Sequence, residues 1–225
     1  MVADTDWLVS VPAGLDAGAA SMLPTAGAVA LGALRTGRVR QGDSVLVTAG
    51  AGAVGHLAVQ LARELGAGTV IASAGSASKL GFVKELGADV ALDHSGPDWA
   101  DQARLAAPGG VDVILDAVGG QMLHQGIGLL APFGRVVTFG AAAGDLTSVP
   151  VTSLFALKTV SGFSLMAWRA AAQDQVRAAY AELAGLFAAG RLRAAAETAL
   201  PLAEVVRAHQ LVEDRAVLGR VLLIP

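Results

Sequence analysis

The chain has 225 residues, of which 54% are hydrophobic and 16% charged, and its formal net charge is −3. Usual shares are about 45–50% and about 25%, so an intrinsically disordered chain is excluded. The 16 Lys and Arg do not cluster, which argues against a basic nucleic-acid surface, and the absence of Cys removes disulfides, thiolate zinc sites, iron–sulfur clusters and a cysteine nucleophile.

The first 43 residues read as a lead-in. A strand is expected over residues 7–11. Leu23, Pro24, Thr25, Ala26 and Gly27 are expected to open a helix running to about Arg35. No secretory n-region precedes Arg35, and no run of about 18 uninterrupted apolar residues occurs. The expectation is therefore no membrane span and a cytoplasmic protein.

From residue 44 the pattern alternates. Residues 44–48 read as a buried strand. Residues 53–65 read as a helix with Val54, Leu57, Ala58, Leu61 and Leu65 on one face. Gln60, Arg63 and Glu64 lie on the other face, and His56 falls on this polar side, where solvation is expected. Strands follow at 69–72, 90–92, 111–115, 135–139 and 159–163. Helices are expected at 77–86, 97–107 (with Pro97 in the first helical position), 120–130, 168–189 and 203–213. A terminal strand is expected at 220–224. Continuous apolar strands alternating with helices predict an α/β fold, a doubly wound parallel sheet of Rossmann type with helices on both faces. The expected division is 1–43 as lead-in and 44–225 as a dinucleotide-binding domain with a C-terminal helix and strand.

Gly50-Ala51-Gly52-Ala53-Val54-Gly55 is a G-x-G-x-x-G motif lying between a predicted strand and a predicted helix. In that context Gly50 permits the tight turn, Gly52 lets a pyrophosphate approach the backbone, and Gly55 allows helix and strand to pack closely. The amides and dipole at the helix start then favour phosphate. An acid about 20 residues further on would bind a free ribose 2′-hydroxyl. None occurs between Glu64 and Glu85; the segment is Ser73-Ala74-Gly75-Ser76-Ala77-Ser78-Lys79. Hydroxyls and a cation suit a 2′-phosphate, so NADP(H) is expected over NAD(H). The serines would equally serve as a helix cap, and Lys79 as a solvated helix residue.

The four His are His56, His94, His124 and His209; none lies at chelating spacing, and no metal site is expected. Asp93 and Asp116 end predicted strands, where each could contact a cofactor or cap the next helix. No G-x-S-x-G elbow and no Lys-Ser/Thr ending to the glycine loop occur, which argues against a hydrolase and an NTPase.

Several segments resemble the quinone oxidoreductase (zeta-crystallin-like) branch of the medium-chain dehydrogenase/reductases. They are residues 43–55, 58–62 (Ala-Val-Gln-Leu-Ala), 84–89, 112–120 and the tail 218–225. The resemblance implies that residues 51–54 line the pyrophosphate and that Ser73, Gly75, Ser76 and Lys79 surround a 2′-phosphate. It places His94 against the adenine, where relatives often carry Tyr. It implies Val118, Phe139, Gly140 and Ala141 near the nicotinamide or its ribose, Phe163 and Leu165 closing the far side, and Thr25 approaching the nicotinamide. It further implies hydride transfer to a quinone or enone without zinc, no identified catalytic residue, and a homodimer formed through the edge strand near 159–163. Relatives begin with a GroES-like catalytic domain of which only a remnant would be present here. The chain is therefore expected to be a piece of a longer enzyme or a naturally short relative. Two alternatives stay open: an NADP(H)-binding module without turnover, and, more remotely, a methyltransferase.

Overall fold

The computed structural model describes residues 8–145, 147–195 and 197–225. Six strands form one parallel sheet: β1 (Ser44–Val47), β2 (Thr69–Ala74), β3 (Val90–Asp93), β4 (Val111–Asp116), β5 (Leu130–Thr138) and β6 (Thr159–Gly162). Their order is β3-β2-β1-β4-β5-β6, so the chain reverses direction across the sheet between β1 and β4. This is the expected doubly wound Rossmann architecture.

Both faces are dry because both strand faces are apolar. Val45 and Val47 point into one core with Val70, Ala72, Val113 and Leu115. Leu46 points the other way, into a second core with Ile71, Ile114 and Val136. The first face carries α2 (Ala28–Thr36), α3 (Gly55–Glu64), α4 (Leu80–Glu85) and α8 (Gln173–Ala188). The second carries α5 (Trp99–Ala106) and α6 (Gly120–Leu129).

The lead-in departs from expectation. Trp7 lies outside the described residues, and 8–11 form no strand. Helix α1 (Ala17–Met22) starts earlier than expected, capped by Asp16, whose Oδ1 accepts from the Ala19 amide at 2.8 Å. Pro24 does not start the helix. Lacking an amide hydrogen, it sits in a widened π turn over Leu23–Gly27, after which α2 continues. Ala17–Thr36 is thus one long apolar helical stretch, most of it buried within the domain.

Other boundaries moved locally. Residues 77–79 form a 3-10 turn before α4, and Pro97 precedes α5. The helix expected at 168–189 is two: α7 (Leu165–Ala171) and α8. The helix expected from residue 203 is α9 (Val205–Glu213). The terminal strand is β8 (Arg220–Ile224), but it does not join the main sheet. It pairs in parallel with β7 (Glu197–Pro201), which sequence reading missed.

Candidate functional site

The glycine turn leaves β1 at the point where the strand order reverses. Ala49 adopts a left-handed φ of 49°, and the Gly52 amide bonds back to the Ala49 carbonyl at 2.9 Å. The Gly50 amide donates to the Ser73 carbonyl at 2.7 Å, fastening the turn to the end of β2. A Cβ on Gly55 would lie 2.2 Å from the Ala49 oxygen, so only glycine lets α3 begin there. Helix α3 has Val54 at its N-cap and no side-chain cap. Its first amides and its dipole therefore face the mouth of the turn, formed by Ala51, Gly52, Ala53 and Val54.

His56 contradicts its expected solvation. It is fully buried, with Nδ1 3.0 Å from the Gly52 carbonyl. Burial holds its imidazole below the ordinary value, more than the nearby Arg220 charge does. Gln60, also assigned to a wet face, is buried because residues 191–195 lie over it: its side chain donates to the Arg193 carbonyl and accepts from the Arg193 amide. A helical wheel cannot see a segment 133 residues away.

At the end of β2, Ser73 is buried and its hydroxyl meets His94 Nδ1 at 3.0 Å. A Cβ on Gly75 would stand 3.5 Å from His94 Nε2. Ser76 and Ser78 hydroxyls meet at 3.0 Å. Lys79 Nζ donates to the carbonyls of Arg215 (2.5 Å) and Val217 (3.4 Å). The His94 imidazole is held below its ordinary value mainly by burial; Asp93 opposes this, and the Arg215 and Lys79 charges add to it. Asp93 is used locally: Oδ1 accepts from the Ser95 amide and hydroxyl, which hold its carboxyl below the usual range.

Arg215 was not foreseen. It lies in a strap, residues 215–219, that crosses the cleft before β8. The Gly219 amide donates to the Ala51 carbonyl at 2.8 Å, and Arg215 Nη2 donates to the Ala142 carbonyl at 2.8 Å. An isolated Arg ahead of a terminal strand reads in sequence like any surface cation; only the strap's path brings it to Lys79.

The far half of the cleft is built on Asp116. Its carboxylate is 1% exposed and accepts from the Val118 amide at 3.1 Å and the Gly119 amide at 3.1 and 3.2 Å. Burial raises this carboxyl above its usual range, against the pull of those amides. Thr48 Oγ1 accepts from the Ala117 amide, tying this loop to the end of β1. Residues 117–118 then zip to the loop after β5: the Ala142 and Ala143 amides donate to the Ala117 and Val118 carbonyls. A Cβ on Gly140 would lie 2.8 Å from the Ala117 oxygen. Val118, Phe139, Gly140 and Ala141 therefore share one edge.

Phe163 and Leu165 follow β6. The Phe163 ring is turned onto α2, where a Cβ on Gly32 would come within 2.3 Å of it, and it meets Trp168 edge-on at 5.7 Å. Leu165 opens α7 and is half-buried. Thr25 is exposed on the π turn, which packs against α3 and α8.

Residues 53–184 match the family described as zinc-binding dehydrogenase. The human synaptic vesicle membrane protein VAT-1 homolog is 32% identical over 169 residues, 67% of this chain and 42% of that protein. The chain therefore spans less than half the length of this relative. Among solved structures, a quinone oxidoreductase of Pseudomonas syringae superposes with a TM-score of 0.87 at 28% identity, covering 96% of this chain and 67% of that one. Escherichia coli quinone oxidoreductase complexed with NADPH gives a TM-score of 0.87 at 27% identity, covering 96% and 68%.

A zinc site does not fit the residues present. Among the described residues no three His, Asp or Glu come together as metal ligands, and the sequence has no Cys. A dinucleotide does fit: at Gly55 no side chain could replace the glycine that lets α3 start at the turn, and a cationic corner lies at the end of β2.

Proposed function

We propose a function for a chain that belongs to the zinc-binding dehydrogenase family, in the quinone oxidoreductase branch of the medium-chain dehydrogenase/reductases: it binds NADP(H) and serves hydride transfer to a quinone or enone-type carbonyl, without zinc. One observation carries the reading. The uncapped start of α3 opens onto the glycine turn at the switch point, and the neighbouring corner holds Lys79, Arg215 and His94 with Ser73 and Ser76. A free ribose hydroxyl calls for a carboxylate there, whereas a 2′-phosphate calls for cations.

The chemistry supplied with the cofactor is hydride transfer; the protein's part is to bind and orient. Residues 51–54 line the pyrophosphate, the Gly52 amide staying on the Ala49 carbonyl. Ser73, Gly75, Ser76, Lys79 and Arg215 form the 2′-phosphate corner, with His94 beside the adenine. Asp116 holds Val118 and Gly119 against Gly140 and Ala141, which gives the nicotinamide half a rigid wall. Phe163, Leu165 and Thr25 border the same half. The NADPH complex of the Escherichia coli neighbour supports this reading. A homodimer through β6 and a cytoplasmic location accompany it; the helix 17–36, being buried in the core, is committed to the fold rather than to a bilayer.

The test is a titration of NADPH fluorescence by the purified chain, with NADH in parallel. NADPH binding at least tenfold tighter than NADH supports the assignment; equal affinities refute the 2′-phosphate corner. Oxidation of NADPH by 9,10-phenanthrenequinone tests turnover. A second reading, a binding module that holds NADP(H) but leaves the quinone unreduced, is separated from the first by that turnover assay.

A further inference from the structure

An anion site built from main-chain amides works only if the neighbouring carbonyls, which carry the opposite partial charge, are turned away from it. At the glycine turn the carbonyls of Ala49, Ala51 and Gly52 are engaged inside the protein. Ala49 accepts from the Gly52 amide at 2.9 Å, and Ala51 from the Gly219 amide at 2.8 Å. Gly52 accepts twice, from the His56 amide and from His56 Nδ1, both at 3.0 Å. A carbonyl oxygen has two lone pairs, so the imidazole takes the place that the helix bond leaves open.

This imidazole is fully buried just inside α3, where an aliphatic side chain would fill the space without burying a polar ring. The Phe82 ring lies 6.5 Å away between centroids, and the Arg220 charge is nearby. The tautomer is fixed from both ends. A carbonyl can only accept, so Nδ1 carries the hydrogen. Nε2 is buried with no hydrogen-bond partner among the described residues, so a hydrogen there would meet no acceptor.

Gly52 needs outside fastening because, without a Cβ, it does little to fix its own peptide plane. That peptide is planar and trans. Holding the Gly52 carbonyl towards α3 therefore sends the Ala53 amide the opposite way, to the mouth of the turn. We propose that His56 is a positioning residue of the coenzyme site: its Nδ1–H clamps the Gly52 carbonyl and so aims the Ala53 amide at the pyrophosphate. The inference rests on the NADP(H) reading above. Pyrophosphate is common to both coenzymes, so the clamp serves NADPH and NADH alike, unlike the corner at Lys79 and Arg215.

Fluorescence titration of His56→Leu and His56→Asn with both coenzymes tests this. Leu fills the space and lacks the donor; Asn is shorter but can place its Nδ2 donor where Nδ1 stood. The clamp predicts that His56→Leu binds both coenzymes about fivefold more weakly, with the NADPH-to-NADH ratio unchanged, while His56→Asn stays within about twofold of the unmodified chain. In urea the order is the reverse, the Leu variant being at least as stable as the Asn variant. A packing role would instead make affinity follow stability. The proposal is overturned if His56→Leu binds both coenzymes like the unmodified chain, if His56→Asn binds no better than His56→Leu, or if the ratio moves. Nitrogen-15 spectra of the backbone-assigned His56 ring in the unmodified chain decide the matter should a variant not fold. A neutral ring with Nδ1–H and bare Nε2 is expected, and an Nε2–H tautomer overturns the clamp. If the unmodified chain binds neither coenzyme, the NADP(H) reading fails and the clamp with it; undiminished binding by His56→Leu removes the clamp alone.

Discussion

Lys79 Nζ donates to the main-chain carbonyl of Arg215 at 2.5 Å, joining the turn after β2 to a strap 136 residues further on. Two cations that would repel in isolation are thereby held at one corner, one through its ammonium and the other through its backbone. The Arg215 guanidinium is free of that contact and reaches instead to the Ala142 carbonyl. An arrangement that fixes positive charge next to buried Ser73 and half-buried His94 gains when a dianion enters it.

The first prediction follows from this corner. Lys79→Ala and Arg215→Ala each lower the NADPH-to-NADH affinity ratio by about tenfold, in keeping with the usual strength of a charge-assisted contact. Fluorescence titration with both coenzymes measures it. An unchanged ratio in both variants would remove the cations from coenzyme choice.

Two glycines separate steric need from mere flexibility. Gly55→Ala drives a methyl into the Ala49 carbonyl and costs about 1–3 kcal/mol, with coenzyme affinity falling alongside. Gly81→Ala in α4 meets nothing within 4 Å and stabilises by about 0.5–1 kcal/mol. Urea denaturation of both variants checks the contrast in sign.

His56 makes stability depend on pH. Its folded imidazole is held below the ordinary 6.5 by burial, while the unfolded chain returns to that value. Between the folded value and 6.5 the unfolded state binds more protons, so stability rises with pH through that window and is lost on acidification. The urea midpoint should fall from pH 7 towards pH 5. His56→Leu should flatten that part of the profile, and an equally steep profile in the variant would assign the dependence elsewhere.

Strand β6 has one partner in the sheet, β5, and its other edge ends the order. Such an edge pairs readily with a second copy. Sedimentation should therefore give a dimer, and Thr159→Lys, at an exposed edge position, should shift it towards monomer with the fold intact. A wild-type monomer at every concentration would end the dimer proposal.

Much of this protein is determined by local sequence. Apolar β-branched runs alternating with helices, and a glycine motif between the first of each, are short-range signals. They yielded the Rossmann class, the turn at residues 50–55 and the lack of an acid after β2. The tertiary structure alone decided what depends on segments far apart in the chain. His56 and Gln60 read as wet because nothing within a helical turn covers them, yet residues 191–195 bury Gln60. Strand β7 became visible only through its pairing with β8, and Arg215 only through the strap that carries it to Lys79. Periodicity reports which side of an element is apolar; which distant segment covers the other side is settled by packing.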